Sequence, residues 1–407
     1  MNLGDANLWR CAPARETMIE LLGKSKSELT EFCVSLGEPA YRGEQIYRAL
    51  YAERKFDIAG MTNLPGPLRE QLAAQARITL PTVRQRYVSK DGSVRYLFAL
   101  PGDVRNQGND GFTAESAASM DPDRKTTAGS RLERPASVEA VFMPIESRQT
   151  ICISTQAGCA VDCQFCLTAQ LGLIRNLSSG EILAQVLLPL EEHKNDVAPQ
   201  FAAQGKQTNV VLMGQGEPLL NFDNVMAAMR ILLDQKGVGL PPRRVTISTS
   251  GIVPGIERLA QEAVRPKLAI SLNASHDEQR NALMPINKKY PLKMLLDACK
   301  NYPLRPWEHL MFEYVMLGGV NDSLDDARRV ARLLAPLKAA KVNLIPWNPG
   351  ALPFHESSAE QIAAFRKVLT DRGMFAYVRY SRGRDVMAAC GQLALSEACN
   401  SPLPVLN

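Results

Sequence analysis

What this 407-residue sequence lacks sets the first limits on its function. No run of apolar residues approaches the roughly 18 that a membrane-spanning helix requires. The opening segment MNLGDANLWRCAPARE has no apolar core of the kind a secretory signal carries. Both absences make a cytoplasmic location, with no membrane partner, the expectation. Histidine is scarce: only His193, His276, His309 and His355 occur, and none is near the cysteine cluster described below, so a mixed Cys/His zinc finger finds few local ligands. Excess charge is also missing, since 47 Lys and Arg against 42 Asp and Glu give a formal net charge of +5. That balance permits a nucleic-acid partner without requiring one. Gly and Pro, at 27 and 26, stay far from collagen-like or low-complexity levels, and 45% hydrophobic residues suffice for a substantial core without disulfide staples.

Nine cysteines is an odd number, and three of them, Cys159, Cys163 and Cys166, fall within eight residues. That is poor arithmetic for a disulfide framework and better suits a metal or catalysis.

Between Gly and Pro stops, ETMIELLG, KSELTEFCVSLG, GEQIYRALYA and LPGPLREQLAAQA place apolar side chains at helical spacing, so residues 15–82 are expected to form a small helical module. TVRQRYVSKDGSVRYLFALP then alternates around Lys90-Asp91-Gly92, the pattern of a β-hairpin, which Arg84, Arg86, Lys90 and Arg95 make basic. Residues 1–101 thus form one N-terminal unit. Residues 102–136 hold almost no apolar side chains and many Gly, Ser, Asp and Thr, which predicts a disordered polar insertion. VEAVFMPI at 138–145 resumes order and is expected to pair with the hairpin.

Beyond residue 148 short β-rich segments (QTICIST, NVVLMGQGEP, RVTISTSG, KLAISLNA, MFEYVMLGG, KVNLIPWN) alternate with amphipathic stretches. Six such alternations predict an α/β fold with a parallel sheet. The span and the polar residues at strand C-termini (Glu217, Ser248, Asn273, Asn348) fit the catalytic rim of a β/α barrel, here a partial (β/α)6 barrel over 137–393 with a tail at 394–407. A doubly wound open sheet has the same periodicity.

GCAVDCQFC puts three thiols on a loop between a strand and a helix. Three ligands fill only part of a tetrahedral zinc site, whereas a [4Fe-4S] cluster held by three cysteines leaves one iron open. Cys-x3-Cys-x2-Cys, with Phe165 before the third cysteine, resembles the signature of radical S-adenosylmethionine (radical SAM) enzymes, and the resemblance implies a (β/α)6-type radical SAM barrel. It also implies that the open iron chelates SAM and delivers the electron that cleaves it to a 5′-deoxyadenosyl radical. GEP at 216–218 resembles the element that holds the methionine ammonium, with Gly216 and Glu217 as contacts. A glutamate capping the next helix is the plain alternative.

In order along the chain, ICISTQAGCAVDCQFC, MGQGEPLLNFDNV, RRVTISTSG, AISLNA, MPINKKYPL, EYVMLGGVND, NLIPWNP and SRGRDVMAACGQL resemble the RlmN-type RNA adenine methyltransferases, with Cfr-type enzymes close by. The resemblance implies that Cys159, Cys163 and Cys166 ligate the cluster, and that Gly216, Glu217, Ser248, Ser271, Asn273 and Asn348 contact SAM. The family usually has His at Asn273, so a backbone contact is what carries over there. Glu139 matches a family acid assigned as proton acceptor; alternation alone makes it an outward side chain of a strand. Cys390, beside Gly391 and after Arg382 and Arg384, is expected on an exposed electropositive loop that favours a thiolate.

By the same resemblance, Cys390 takes a methyl from one SAM. A second SAM, once cleaved, removes hydrogen from that methyl, and the resulting radical adds to carbon 2 of adenine. Glu139 or Cys152 then takes the ring proton, and a Cys152–Cys390 disulfide forms as the RNA leaves. The resemblance further implies 23S rRNA and tRNA substrates, a reductant such as flavodoxin or ferredoxin, and a monomer. The hairpin, Lys288, Lys289 and the RYSRGR segment would track RNA phosphates. Two other readings remain open at this point: a Cfr-like carbon 8 methyltransferase, and a zinc-stabilised RNA-binding protein without catalysis.

Overall fold

The computed structural model describes residues 18–101, 136–196, 207–337 and 339–393. The expected insertion at 102–136, apart from Ala136, and the tail at 394–407 lie outside the described residues.

Strand β1 (Ile19–Glu20) is followed by helices α1 (Lys26–Ser35), α2 (Tyr41–Tyr51) and α3 (Gly66–Gln75), and then by β2 (Ala76–Arg77). Helix α1 begins with a capping box in which Ser25 and Glu28 satisfy each other's backbone amides. The stretch ETMIELLG, expected as a helix, instead supplies β1, which pairs in parallel with β2 through Ile19 and Ala76. The reason is local. Gly23 takes φ +96°, which ends any helix before it completes two turns, and Leu21 N–H donates to Arg77 O at 2.9 Å.

The hairpin is present as β3 (Thr82–Val88) and β4 (Val94–Ala99), and β5 (Ser137–Ile145) pairs antiparallel with β4 as expected. The chain continues through β6 (Arg148–Cys152), β7 (Gln156–Gly158), β8 (Leu173–Asn176), α4 (Ser179–Glu192) and β9 (Gln207–Leu212). Next come α5 (Phe222–Leu233), β10 (Val245–Thr249), α6 (Val253–Gln261), β11 (Lys267–Ser271), α7 (Asp277–Leu283) and α8 (Leu292–Asn301). The last elements are β12 (Leu310–Met316), α9 (Leu324–Leu334), β13 (Ala340–Pro346), α10 (Ala359–Thr370) and β14 (Phe375–Val378).

One sheet of ten strands runs β14, β13, β12, β11, β10, β9, β6, β5, β4, β3. From β6 to β14 every pairing is parallel, and each new strand adds to the same side. A doubly wound sheet would reverse that order at a switch point, so this is barrel-type winding, left unclosed among the described residues. Leu212, Ile247, Ile270, Phe312 and Leu344 are buried in its strands, each contributing roughly 1.5–3 kcal/mol relative to exposure. The N-terminal module seats on α4, where a side chain at Gly180 would strike the backbone carbonyl of Leu22 and where Arg54 pairs with Glu191 at 3.0 Å. Parallel winding brings the C-terminal ends of β6 and β9 through β14 to one rim, and the cysteine loop opens on that rim.

Candidate active site

Strands β7 and β8 form an antiparallel pair whose connection, residues 159–172, carries all three clustered cysteines. Gly158 is indispensable to that hairpin, since its φ is +76° and a Cβ would lie 1.8 Å from Gly172 O. Bonds from outside pin the loop: Gln164 N–H donates to Leu283 O (3.0 Å), Trp347 Nε1–H to Phe165 O (3.3 Å), and Leu167 N–H to Gly391 O (2.8 Å). The three half-buried cysteines line one cavity.

Burial pushes the Cys159 thiol up to about 12 and the Cys163 and Cys166 thiols above their ordinary value. Mutual repulsion adds to the effect at Cys163, and Arg280 tempers it. Three thiolates in so small a space need a cation among them. Among the described residues no three His, Cys, Asp or Glu side chains sit at single-ion spacing. A cubane holds its sulfurs farther apart than one tetrahedral ion does, so thiol donors converging loosely on one cavity fit a [4Fe-4S] cluster.

Gly216, Glu217, Ser248, Ser271, Asn273 and Asn348 all line the same cavity as the cysteines. Glu217 is buried on its wall, with Oε2 accepting from Ser250 N–H (2.7 Å) and Oε1 from Leu219 N–H (3.1 Å). It therefore caps the short helical turn Pro218–Asn221 and presents a carboxylate to the cavity at once. Asn273 occupies the left-handed region at φ +56°, which asparagine tolerates better than most residues. Its Oδ1 accepts from Val315 N–H at 2.8 Å and its amide reaches Met284 sulfur at 3.3 Å, so its side chain is engaged within the protein, as its departure from the family pattern suggests. Arg280, wholly buried and unassigned by sequence reasoning, donates to the carbonyls of Ser250, Ser271 and Leu272 and to Asn287 Oδ1. It ties together the ends of β10 and β11, from which Ser248 and Ser271 project.

Cys390 reaches this cavity from the far end of the chain. Thr168 Oγ1–H donates to Leu393 O (2.6 Å), Gln392 Nε2–H to Pro349 O (2.7 Å), and Asn348 Nδ2–H to both Ser381 Oγ (3.0 Å) and Cys390 O (3.1 Å). Cys152 packs with Val141, Ala388 and Leu393 just behind, close enough for the charge of Cys390 to bear on the Cys152 thiol. The expectation of an electropositive loop is corrected here. Arg382 pairs with Asp91 (3.2 Å) and Arg384 with Glu356 (2.9 Å). Although Cys390 opens to the cavity, the walls around it desolvate its thiol, which rises to about 11 through burial first and then the charges of Glu313 and Cys166. Cys152, more enclosed, is raised further still, chiefly by burial.

Glu139 does not line the cavity. It shares a face of β5 with Val141, toward the thiol pair, but its carboxylate is sealed against Arg95 and accepts from Gln215 Nε2–H at 3.2 Å. The expectation of an outward side chain does not describe it, since Glu139 is fully buried. Arg95 is likewise buried and is removed from the RNA track, while Arg86 pairs with Glu192 at 2.9 Å. Arg84, Lys90, Lys288 and Lys289 are exposed.

A strand-end cavity with three loop cysteines, opposed by a carboxylate and hydroxyls, defines a radical SAM enzyme, and the model of the radical SAM superfamily matches residues 153–334. The ribosomal RNA large subunit methyltransferase N-terminal domain matches residues 19–78. The chain is 47% identical over 364 residues to the probable dual-specificity RNA methyltransferase RlmN of Koribacter versatilis, covering 89% of this chain and 98% of that protein. It is 41% identical to the dual-specificity RNA methyltransferase RlmN of Geobacter sulfurreducens, covering 93% and 92%. The crystal structure of a radical SAM methyltransferase from Sphaerobacter thermophilus matches with a TM-score of 0.78 and 38% identity, covering 92% of this chain and 99% of that one. The chain belongs to the RlmN family of radical SAM RNA methyltransferases, whose cofactors are a [4Fe-4S] cluster and SAM. The zinc-stabilised, non-catalytic reading falls with that result. No helix among the described residues is long and apolar enough to cross a membrane.

Proposed function

We propose that this chain methylates carbon 2 of adenosine in 23S rRNA and in tRNA, through a methyl group carried on Cys390 and a transient covalent link between RNA and that cysteine. The observation that carries the reading is the placement of Cys390 on the wall of the cysteine cavity with a second thiol, Cys152, behind it. Neither thiol is needed as a cluster ligand, and a lone structural cysteine at either place would need no partner.

When bound to Cys159, Cys163 and Cys166, the cluster supplies the electron that starts radical chemistry with SAM. Glu217 offers a carboxylate to an ammonium group, and Ser248, Ser271 and the backbone at Asn273 and Asn348 offer polar contacts around it. Cys390 sulfur accepts the methyl and then holds the RNA. Cys152 resolves that link by forming a disulfide with Cys390, a transient use consistent with a reducing cytoplasm. Of the two groups expected to take the ring proton, Cys152 lies beside Cys390, whereas Glu139 is sealed against Arg95. The target base must be splayed from its stack to enter, and Arg84, Lys90, Lys288 and Lys289 offer cations to the phosphates. A reductant such as flavodoxin or ferredoxin supplies electrons, and the enzyme works as a monomer.

Mass spectrometry of adenosine from 23S rRNA and tRNA of cells with and without this gene tests the proposal. Loss of 2-methyladenosine from both RNAs is the expected result. Loss of an 8-methyl product instead would assign the Cfr-type reaction.

A further inference from the structure

Among the described residues six titratable side chains line the cavity: Cys159, Cys163, Cys166, Cys390, Glu217 and Glu313. The proposed function uses five of them and leaves Glu313 without a part. No histidine lines the cavity, so a base for chemistry at its wall has few possible sources.

Glu313 sits in β12 and is 7% exposed. On one side it is in register with Ser271 of β11, and on the other with Asn343 of β13. Its Oε1 accepts from Asn343 Nδ2–H at 2.9 Å, and Asn343 Oδ1 in turn accepts from Arg379 Nε–H at 3.2 Å. The guanidinium therefore reaches the carboxylate through an amide and makes no ion pair with it. Cys390 lines the same cavity, and its thiol feels the charge of Glu313 more than that of any other group and is bonded to the Ser381 hydroxyl. A buried carboxyl with one neutral donor is costly to keep in a protein core unless it serves the site.

Sulfur must shed its proton before it can take a methyl group from a sulfonium, and the thiol of Cys390 holds its proton at neutral pH. We propose that Glu313 is the proton acceptor that readies Cys390 for methylation, an inference that rests on Cys390 being the methyl acceptor. The S–H proton passes to a Glu313 carboxylate oxygen. The freed sulfur pair forms the S–CH3 bond while the bond between that methyl carbon and the sulfonium breaks, its electrons remaining on the departing neutral thioether. Glu313 then releases the proton to solvent, and no oxidant or reductant is consumed. Burial lifts Glu313 to about 7, against the opposing pull of Asn343 and Arg379, where a carboxyl can both take and return a proton near neutrality.

The test uses cluster-reconstituted holoenzyme without RNA, given SAM with an isotopically labelled methyl, and follows the mass of the Cys390 peptide in a single turnover from pH 6 to 9. Glu313→Gln is expected to slow methylation of Cys390 roughly 100-fold at pH 7.5, with Glu313→Asp recovering part of the rate. Iodoacetamide labelling of the same peptide provides a second readout that needs the thiolate but no positioned base. Because Glu313→Gln removes a negative charge facing the thiol, alkylation at pH 8 should become faster while methylation becomes slower. Methylation at the wild-type rate in Glu313→Gln, or methylation and alkylation slowed together, would overturn the assignment. Wild-type enzyme that takes no methyl on Cys390 would overturn the two-cysteine reading itself, and Glu313's role with it.

Discussion

Burying a carboxyl against a single amide has a consequence for stability that pH reveals. The folded protein binds the proton of Glu313 more tightly than the unfolded chain does, since burial lifts the group from 4.5 to about 7. Its contribution is complete below about pH 4 and is lost as pH rises through about 7, a loss of roughly 3 kcal/mol for a shift of this size. Glu313→Gln, which keeps the shape and cannot ionise, should match wild type in urea unfolding near pH 4 and exceed it at pH 8. Equal midpoints at both pH values would mean that the carboxyl is not desolvated. At the same scale the two paired thiols should separate. On the proposed mechanism, replacing Cys390 by Ala removes the methyl acceptor, so neither methyl-protein nor RNA adduct should form. Replacing Cys152 by Ala leaves the acceptor and removes only the resolving thiol. Nuclease-treated, denatured Cys152→Ala protein should then retain a nucleotide mass on its Cys390 peptide, and ordinary turnover by either variant would refute the mechanism.

Among the elements, the β7–β8 hairpin has the least freedom. At Gly158 an alanine would need φ +76° and would place its methyl carbon 1.8 Å from Gly172 O, so the strands cannot keep their register and the cysteine loop between them must move. Gly158→Ala is expected to lose most of its iron on anaerobic reconstitution, read as iron per chain and as loss of the brown colour. Alanine at Gly37, also at positive φ (+80°) but with open space around it, serves as the control and should keep its cluster. Features set by local spacing were legible in the sequence: the cysteine triplet and the Lys90-Asp91-Gly92 turn. Features set by register were not. Arg95 and Glu139 look like ordinary polar positions of alternating strands, and only the pairing of Leu97 with Glu139 sets them diagonally across the ladder, where both are buried as a pair. Glu313 was hidden for a related reason. MFEYVM reads as a strand, but periodicity does not say which face of a strand looks into a barrel cavity. Cys390 was placed by family likeness, and its real surroundings, neutralised arginines and a desolvating wall, depend on partners about 290 and 28 residues away.

Across the whole molecule, β3, β4 and β5 continue the same ladder as β6, so the hairpin of the N-terminal unit and the catalytic rim share one ten-stranded sheet. The described residues on either side of the polar insertion are neighbours in this ladder. Leu100 N–H donates to Ala136 O at 2.8 Å and Ala99 is paired with Ser137, so the ends that flank residues 102–135 are already held side by side as in a hairpin. Closing a loop costs little more as it lengthens, about 0.6 kcal/mol for each doubling, and a tight Asn-Gly connection suits such ends equally well. Replacing residues 101–135 with a two-residue Asn-Gly turn should therefore leave the thermal midpoint within a few degrees and slightly raised, with cluster content unchanged. Methylation of 23S rRNA and tRNA fragments should also persist, since the described residues that line the cavity all lie between 159 and 391. The informative contrast is between the two RNAs. If methylation of one fragment falls at least tenfold while the other and the thermal midpoint hold, the insertion contacts that RNA directly. If stability falls as well, the insertion supports the edge of the sheet, and the adjacency of its two ends is not sufficient to close the β4–β5 ladder.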